Sequence, residues 1–118
     1  MYAESKFQQA VIRALRLNKI FVFSVPNGMK LKITQARIAK AEGLTSGCSD
    51  VIILLPNRRT IFIEFKNPNG KGRQSPAQKE FEEKVKELGF EYYIWDKWEQ
   101  VDKFLREVRK WKYTYPEQ

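Results

Sequence analysis

The chain has 118 residues, enough for a single domain predicted to span 1–118, and its 42% hydrophobic and 31% charged content fits a globular fold with a modest core rather than disorder. There is no histidine and only Cys48, which excludes Ser/His/Asp and Cys/His nucleophilic sites, a disulfide framework and zinc held by histidine or a thiolate cluster. Any metal therefore sits on oxygen ligands, which favours Mg²⁺ or Mn²⁺, and the +8 formal charge fits a polyanion partner, most simply nucleic acid.

Along the chain, Phe7, Ala10, Val11, Ala14 and Leu15 recur at three- and four-residue steps, which predicts an amphipathic helix from Glu4 to Leu17. Ile20 to Val25, β-branched and aromatic, reads as a strand stopped by the turn Pro26-Asn27-Gly28. Thr34 is the expected cap of a helix running through Glu42, with Gly43 as its terminal glycine. Asp50 to Leu55 predicts a buried strand, Pro56-Asn57-Arg58-Arg59 a hairpin connection and Thr60 to Lys66 a second strand. Gly70 to Arg73 is read as an exposed basic loop, and Ser75-Pro76 starts a helix that reaches Leu88 and stops at Gly89. Glu91 to Trp95 is a third core strand, and a closing helix runs from Trp98 to about Lys110. The order α-β-α-β-β-α-β-α predicts an α/β fold with a short mixed sheet flanked by helices. The N-terminus carries no continuous apolar segment and the longest aliphatic run is Val51 to Leu55, so neither a signal peptide nor a membrane partner is expected.

The chemistry concentrates on the two central strands. Strand alternation puts Phe62, Glu64 and Lys66 on one face and Ile61, Ile63 and Phe65 on the other. A hairpin about Asn57 would set Asp50, at the start of one strand, against Glu64 and Lys66 at the end of the next. Two converging carboxylates repel unless a cation neutralises them, and a divalent ion there would also activate water against a phosphodiester. Lys66 adds a positive charge beside the attacking water or the scissile phosphate. Taken alone, Glu64-Phe65-Lys66 reads better as an exposed ion pair on a strand; Asp50 at a hairpin-compatible distance tips the balance toward a site. Lys30, Lys32 and Arg37 after the first turn, and Lys71 and Arg73 after Lys66, would flank that site and grip phosphates. Trp95, Trp98 and Trp111 read as core, while the Trp111 to Tyr115 tail fits base stacking, a subunit contact or fraying.

The ordered set comprises Glu4, Pro26-Asn27-Gly28, Glu42-Gly43, Gly47-Cys48-Ser49-Asp50, Ile63-Glu64-Phe65-Lys66, Gly70 to Arg73, Ser75-Pro76-Ala77-Gln78 and Leu88-Gly89. Together these resemble the viral-type replication–repair nuclease (VRR-NUC) domain, a branch of the PD-(D/E)-x-K nuclease superfamily. The resemblance covers nearly the whole chain and implies a restriction-endonuclease-like core. It implies a divalent metal on Asp50, Glu64 and the Phe65 main-chain carbonyl, with Lys66 and Gln78 as catalytic partners and Glu4 near the metal or its water. It places Asn27, Gly28 and Ser75 by the DNA. Glu4 also reads as a favourable acid in a first helical turn, and Ser75 and Gln78 as helix-start residues. Ser49 departs from the proline that the superfamily pattern expects before the aspartate, at a position that supplies no ligand.

The activity so implied is metal-dependent hydrolysis of DNA phosphodiesters without a nucleotide cofactor. By the likeness of stand-alone members to Holliday-junction resolvases, a homodimer on branched DNA is expected, in the cytoplasm of a bacterial or phage-infected cell and not secreted. The rivals are a nuclease that nicks duplex or cuts flaps, and a non-catalytic DNA-binding module that keeps the fold.

Overall fold

The structure, a computed structural model, describes residues 3–26 and 32–114, with side chains up to residue 109. Its elements follow in the order α1 (Ala3–Leu17), β1 (Phe21–Ser24), α2 (Ile33–Ala41), β2 (Val51–Leu55), β3 (Arg59–Phe65), α3 (Pro76–Glu87), β4 (Glu91–Trp95) and α4 (Trp98–Thr114). This is the predicted order, with ends shifted by a few residues.

The sheet runs β1-β2-β3-β4. β1 and β2 pair antiparallel, as do β2 and β3, and the α3 crossover makes β4 parallel to β3. The β2–β3 register sets Val51 against Ile63 and Leu55 against Arg59, so the hairpin is centred on Asn57 as expected. Asn57 and Arg58 both take left-handed backbone to close it.

The two faces of the sheet are covered unequally. Phe7, Val11 and Leu15 of α1, with Val101, Phe104, Leu105 and Val108 of α4, bury the face carrying Val51, Ile53, Ile61, Ile63 and Phe65. Trp95 joins this core, whereas Trp98 is half-exposed and meets Phe7 edge-on at 5.7 Å. The opposite face is covered over β3 and β4 by α3, where Phe81 packs against Phe62 and Tyr92. Phe21, Phe23 and Leu54, on the β1–β2 half, stay exposed.

α2 departs from the sequence reading at its start. The N-cap residue is Lys32, not Thr34, which lies inside the first turn. Lysine offers no acceptor, and the turn closes instead through the Gln35 side chain, whose Oε1 accepts the Lys32 N–H at 3.1 Å. At the far end Gly43 is the left-handed residue, and Leu44 N–H bonds back to the Ala39 carbonyl at 2.8 Å, a Schellman closure. α2 contributes no buried residue. No helix among the described residues is long and apolar enough to cross a membrane.

Candidate active site

The hairpin register puts the carboxylates together. Asp50 lies one step beyond the Val51–Ile63 pair, and its N–H bonds to the Ile63 carbonyl at 3.0 Å, so it continues the ladder opposite Glu64. β1 holds it from the other side through Val25 N–H to the Asp50 carbonyl at 2.9 Å. The carboxylate itself is fixed by the Phe65 N–H, which donates to Oδ2 at 2.6 Å. A charge-assisted bond of that kind orients a carboxylate as well as stabilising it.

Glu64 is 1% exposed, an unusual place for a carboxylate, and its environment shows how it is tolerated. The Tyr92 hydroxyl donates to Oε1 at 2.6 Å, and Gln74 Nε2 donates to the same oxygen at 3.3 Å. Oε2 is buried and receives no hydrogen bond from the described residues; its polar neighbour is the Lys66 ammonium at 3.4 Å. Burial and the bond to Glu64 push the Tyr92 phenol far up, so it remains a proton donor.

Lys66 is anchored by Gln78, whose Oε1 accepts from Nζ at 3.0 Å and also from the Ser75 N–H at 2.8 Å. Ser75 in turn caps α3, its Oγ accepting the Gln78 N–H at 3.2 Å. Gln78 thus acts on Lys66 rather than standing free, and the exposed Ser75 hydroxyl is engaged as a helix cap. The loop after β3 passes against the lysine stem, with Gly72 so close that a Cβ there would lie 3.1 Å from Lys66 Cβ and Cδ. That contact sets exposed Lys71 and Arg73 near the site.

Glu4, in the first turn of α1, feels the same cluster. Its carboxyl is pushed up, by burial first, lowered in part by Lys66 and raised further by Asp50 and Glu64. Asp50 is likewise pushed up by burial, against the Phe65 N–H. Among the described residues, no three of His, Cys, Asp and Glu stand close enough to cage an ion. The carboxylates that the strand register brings side by side are Asp50 and Glu64, oxygen donors of the type that divalent cations take. The buried Oε2 of Glu64, without a hydrogen bond among the described residues, is the observation in favour of a fit to such a cation.

Lys32, the N-cap of α2, and Arg37 within it are exposed, with no side-chain hydrogen bond to the carboxylates among the described residues. Asn27, Gly28 and Lys30 lie outside the described residues, as do the side chains of the Trp111 to Tyr115 tail. Two residues on Glu64 escaped the sequence reading. Tyr92 carries a hydroxyl into a strand position opposite Phe62, which is the one signal it offers; Gln74, next to the α3 cap, offers none.

The VRR-NUC domain model matches residues 5–98. A solved structure described as a VRR_NUC domain is 20% identical over 88% of this chain and 95% of that chain, with a TM-score of 0.65. Another, a VRR_NUC domain protein, is 21% identical over 92% of this chain and 86% of that one, with a TM-score of 0.68. No curated protein matches the chain. At such identities the two structures speak for the fold alone, which is restriction-endonuclease-like. With the family match spanning most of the residues as well, the chain belongs to the VRR-NUC family of nuclease domains.

Proposed function

We propose that this chain is a divalent-metal-dependent endodeoxyribonuclease that hydrolyses phosphodiester bonds in branched DNA, four-way junctions foremost, as a cytoplasmic homodimer. The observation that carries the reading is the meeting of Asp50, Glu64 and Lys66, with Glu64 Oε2 buried, 3.4 Å from the Lys66 ammonium and without a hydrogen bond among the described residues. Asp50 and Glu64 would hold Mg²⁺ or Mn²⁺, with the Phe65 carbonyl as a neutral ligand and Glu4 toward a bound water. Such an ion supplies Lewis acidity and a water acidified enough to attack phosphorus. The Phe65 N–H keeps the Asp50 carboxylate oriented, and Gln78 holds the Lys66 ammonium beside Glu64, where it can offset charge on a phosphodiester. Lys71, Arg73, Lys32 and Arg37 would contact phosphates away from the cleaved bond. With no histidine in the chain, direct attack by water without a covalent intermediate is the simplest route. Membership in a nuclease family supports the activity; junction preference and pairing rest on the likeness of stand-alone members to junction resolvases.

The test incubates purified protein with four-way junction, flap and linear duplex DNA in Mg²⁺, Mn²⁺ or EDTA. Cutting is expected with either metal and not with EDTA, and Asp50→Asn and Lys66→Ala should each lose about 100-fold or more. Equal cutting by Asp50→Asn sinks the metal site. No cutting of any substrate returns the chain to a DNA-binding role. Symmetric paired nicks confined to the junction support the dimeric resolvase, and cutting of flap or duplex alone overturns it.

A further inference from the structure

Two hydrogen-bond donors from separate elements meet on a single oxygen of Glu64. The Tyr92 hydroxyl arrives from β4, itself 5% exposed, and Gln74 arrives from the segment ahead of α3. Both engage Oε1, while Oε2 keeps the ion-pair contact with Lys66 and receives no hydrogen bond among the described residues. A carboxylate free to rotate about its last bond presents its two oxygens alike. Here rotation would break both bonds, in a buried position where water cannot replace them. The Gln74 amide nitrogen also reaches beyond Glu64, donating to Glu82 Oε1 at 2.9 Å, and Glu82 is paired with Lys86 at 2.6 Å on α3. The side chain that bonds Glu64 is thereby held at its far side by the helix.

We propose that Tyr92 and Gln74 are positioning residues that lock Glu64 with Oε2 presented to a divalent cation, and that Gln74 ties this lock to α3 through Glu82. The inference rests on the metal-site reading above. It matters because no group of three such ligands stands together among the described residues, so the direction of each carboxylate oxygen weighs heavily. Groups that hold a ligating side chain in place typically change metal affinity 10–100-fold when removed.

The experiment measures Mn²⁺ binding to the full chain by isothermal titration calorimetry without DNA, alongside thermal melting in EDTA. Tyr92→Phe should weaken Mn²⁺ binding about ten-fold or more, and Gln74→Ala about ten-fold. A merely structural role would lower the melting temperature and leave the affinity alone. If Tyr92→Phe does not fold, Gln74→Ala carries the test. Wild-type affinity in the single variants, with binding lost in Glu64→Gln, overturns the positioning role and leaves the metal site standing. No Mn²⁺ binding by the wild type, or undiminished binding by Glu64→Gln, overturns both.

Discussion

Burial lifts the Asp50 carboxyl above the ordinary aspartate range; the Phe65 N–H lowers it, Glu64 raises it and Lys66 lowers it again, with burial prevailing. An acid raised in this way binds its proton more tightly in the folded chain than in the unfolded one. Stability is therefore lost as pH rises from about 4 through the raised value. Asp50→Asn keeps an acceptor for the Phe65 N–H and removes the charge. In EDTA it should melt a few degrees above the wild type at pH 7, roughly 2–5 °C, with the gain vanishing toward pH 4. A melting temperature below the wild type across that range would show that the carboxylate stabilises the fold. The same residue marks what the sequence could tell. Asp50, Glu64 and Lys66 were legible because strand alternation and a hairpin centre are both local features. Tyr92 and Gln74 were not, because their approach depends on the β3–β4 register and on where α3 lands, and no run of neighbouring residues encodes either.

Among the described glycines, Gly47 in the loop ahead of β2 makes the closest approach, to the start of α3. Gly47 has φ +76°, and a Cβ there would stand 2.3 Å from the Ala77 carbonyl carbon and oxygen. Both the left-handed backbone and the close approach call for glycine. Gly47→Ala should cost about 2–4 kcal/mol, from left-handed strain plus overpacking, and should displace the turn that carries Ser75 and Gln78. Gly89→Ala is the control: it shares the positive φ, meets nothing within 4 Å and should cost about 1 kcal/mol. Equal melting temperatures for the two variants would overturn the packing argument. The helix ends at Gly43 and Gly89 could be read in advance because left-handed closures favour glycine. The start of α2 could not, because Thr34 is the better cap by type, whereas Gln35 satisfies the Lys32 N–H two residues earlier.

For the whole molecule, an excess of eight positive charges gives DNA binding a strong salt dependence. With the Asp50→Asn chain on a four-way junction, replacing Lys71 or Arg73 by Ala should each reduce the slope of log affinity against log salt by about 0.9. Lys103→Ala, on α4 across the sheet from α3, should leave it unchanged. Equal effects at all three positions would mean that the charge acts without a defined face. The α/β layout was readable from element order, yet the exposure of Phe21, Phe23 and Leu54 on one face of β1–β2 was not. Phe21 and Leu54 look like core residues until α3 is seen to cover only the other half.

α2 has nine residues and buries none of them, whereas isolated helices shorter than about 12–15 residues are marginal in water. Among the described residues its two ends are closed by Gln35 to Lys32 and by Leu44 to Ala39. Its amide hydrogens therefore exchange with solvent through local opening, independently of unfolding of the sheet. Whatever binds through Lys32 and Arg37 must also hold that helix still, so part of the attraction of those charges is spent on lost chain entropy.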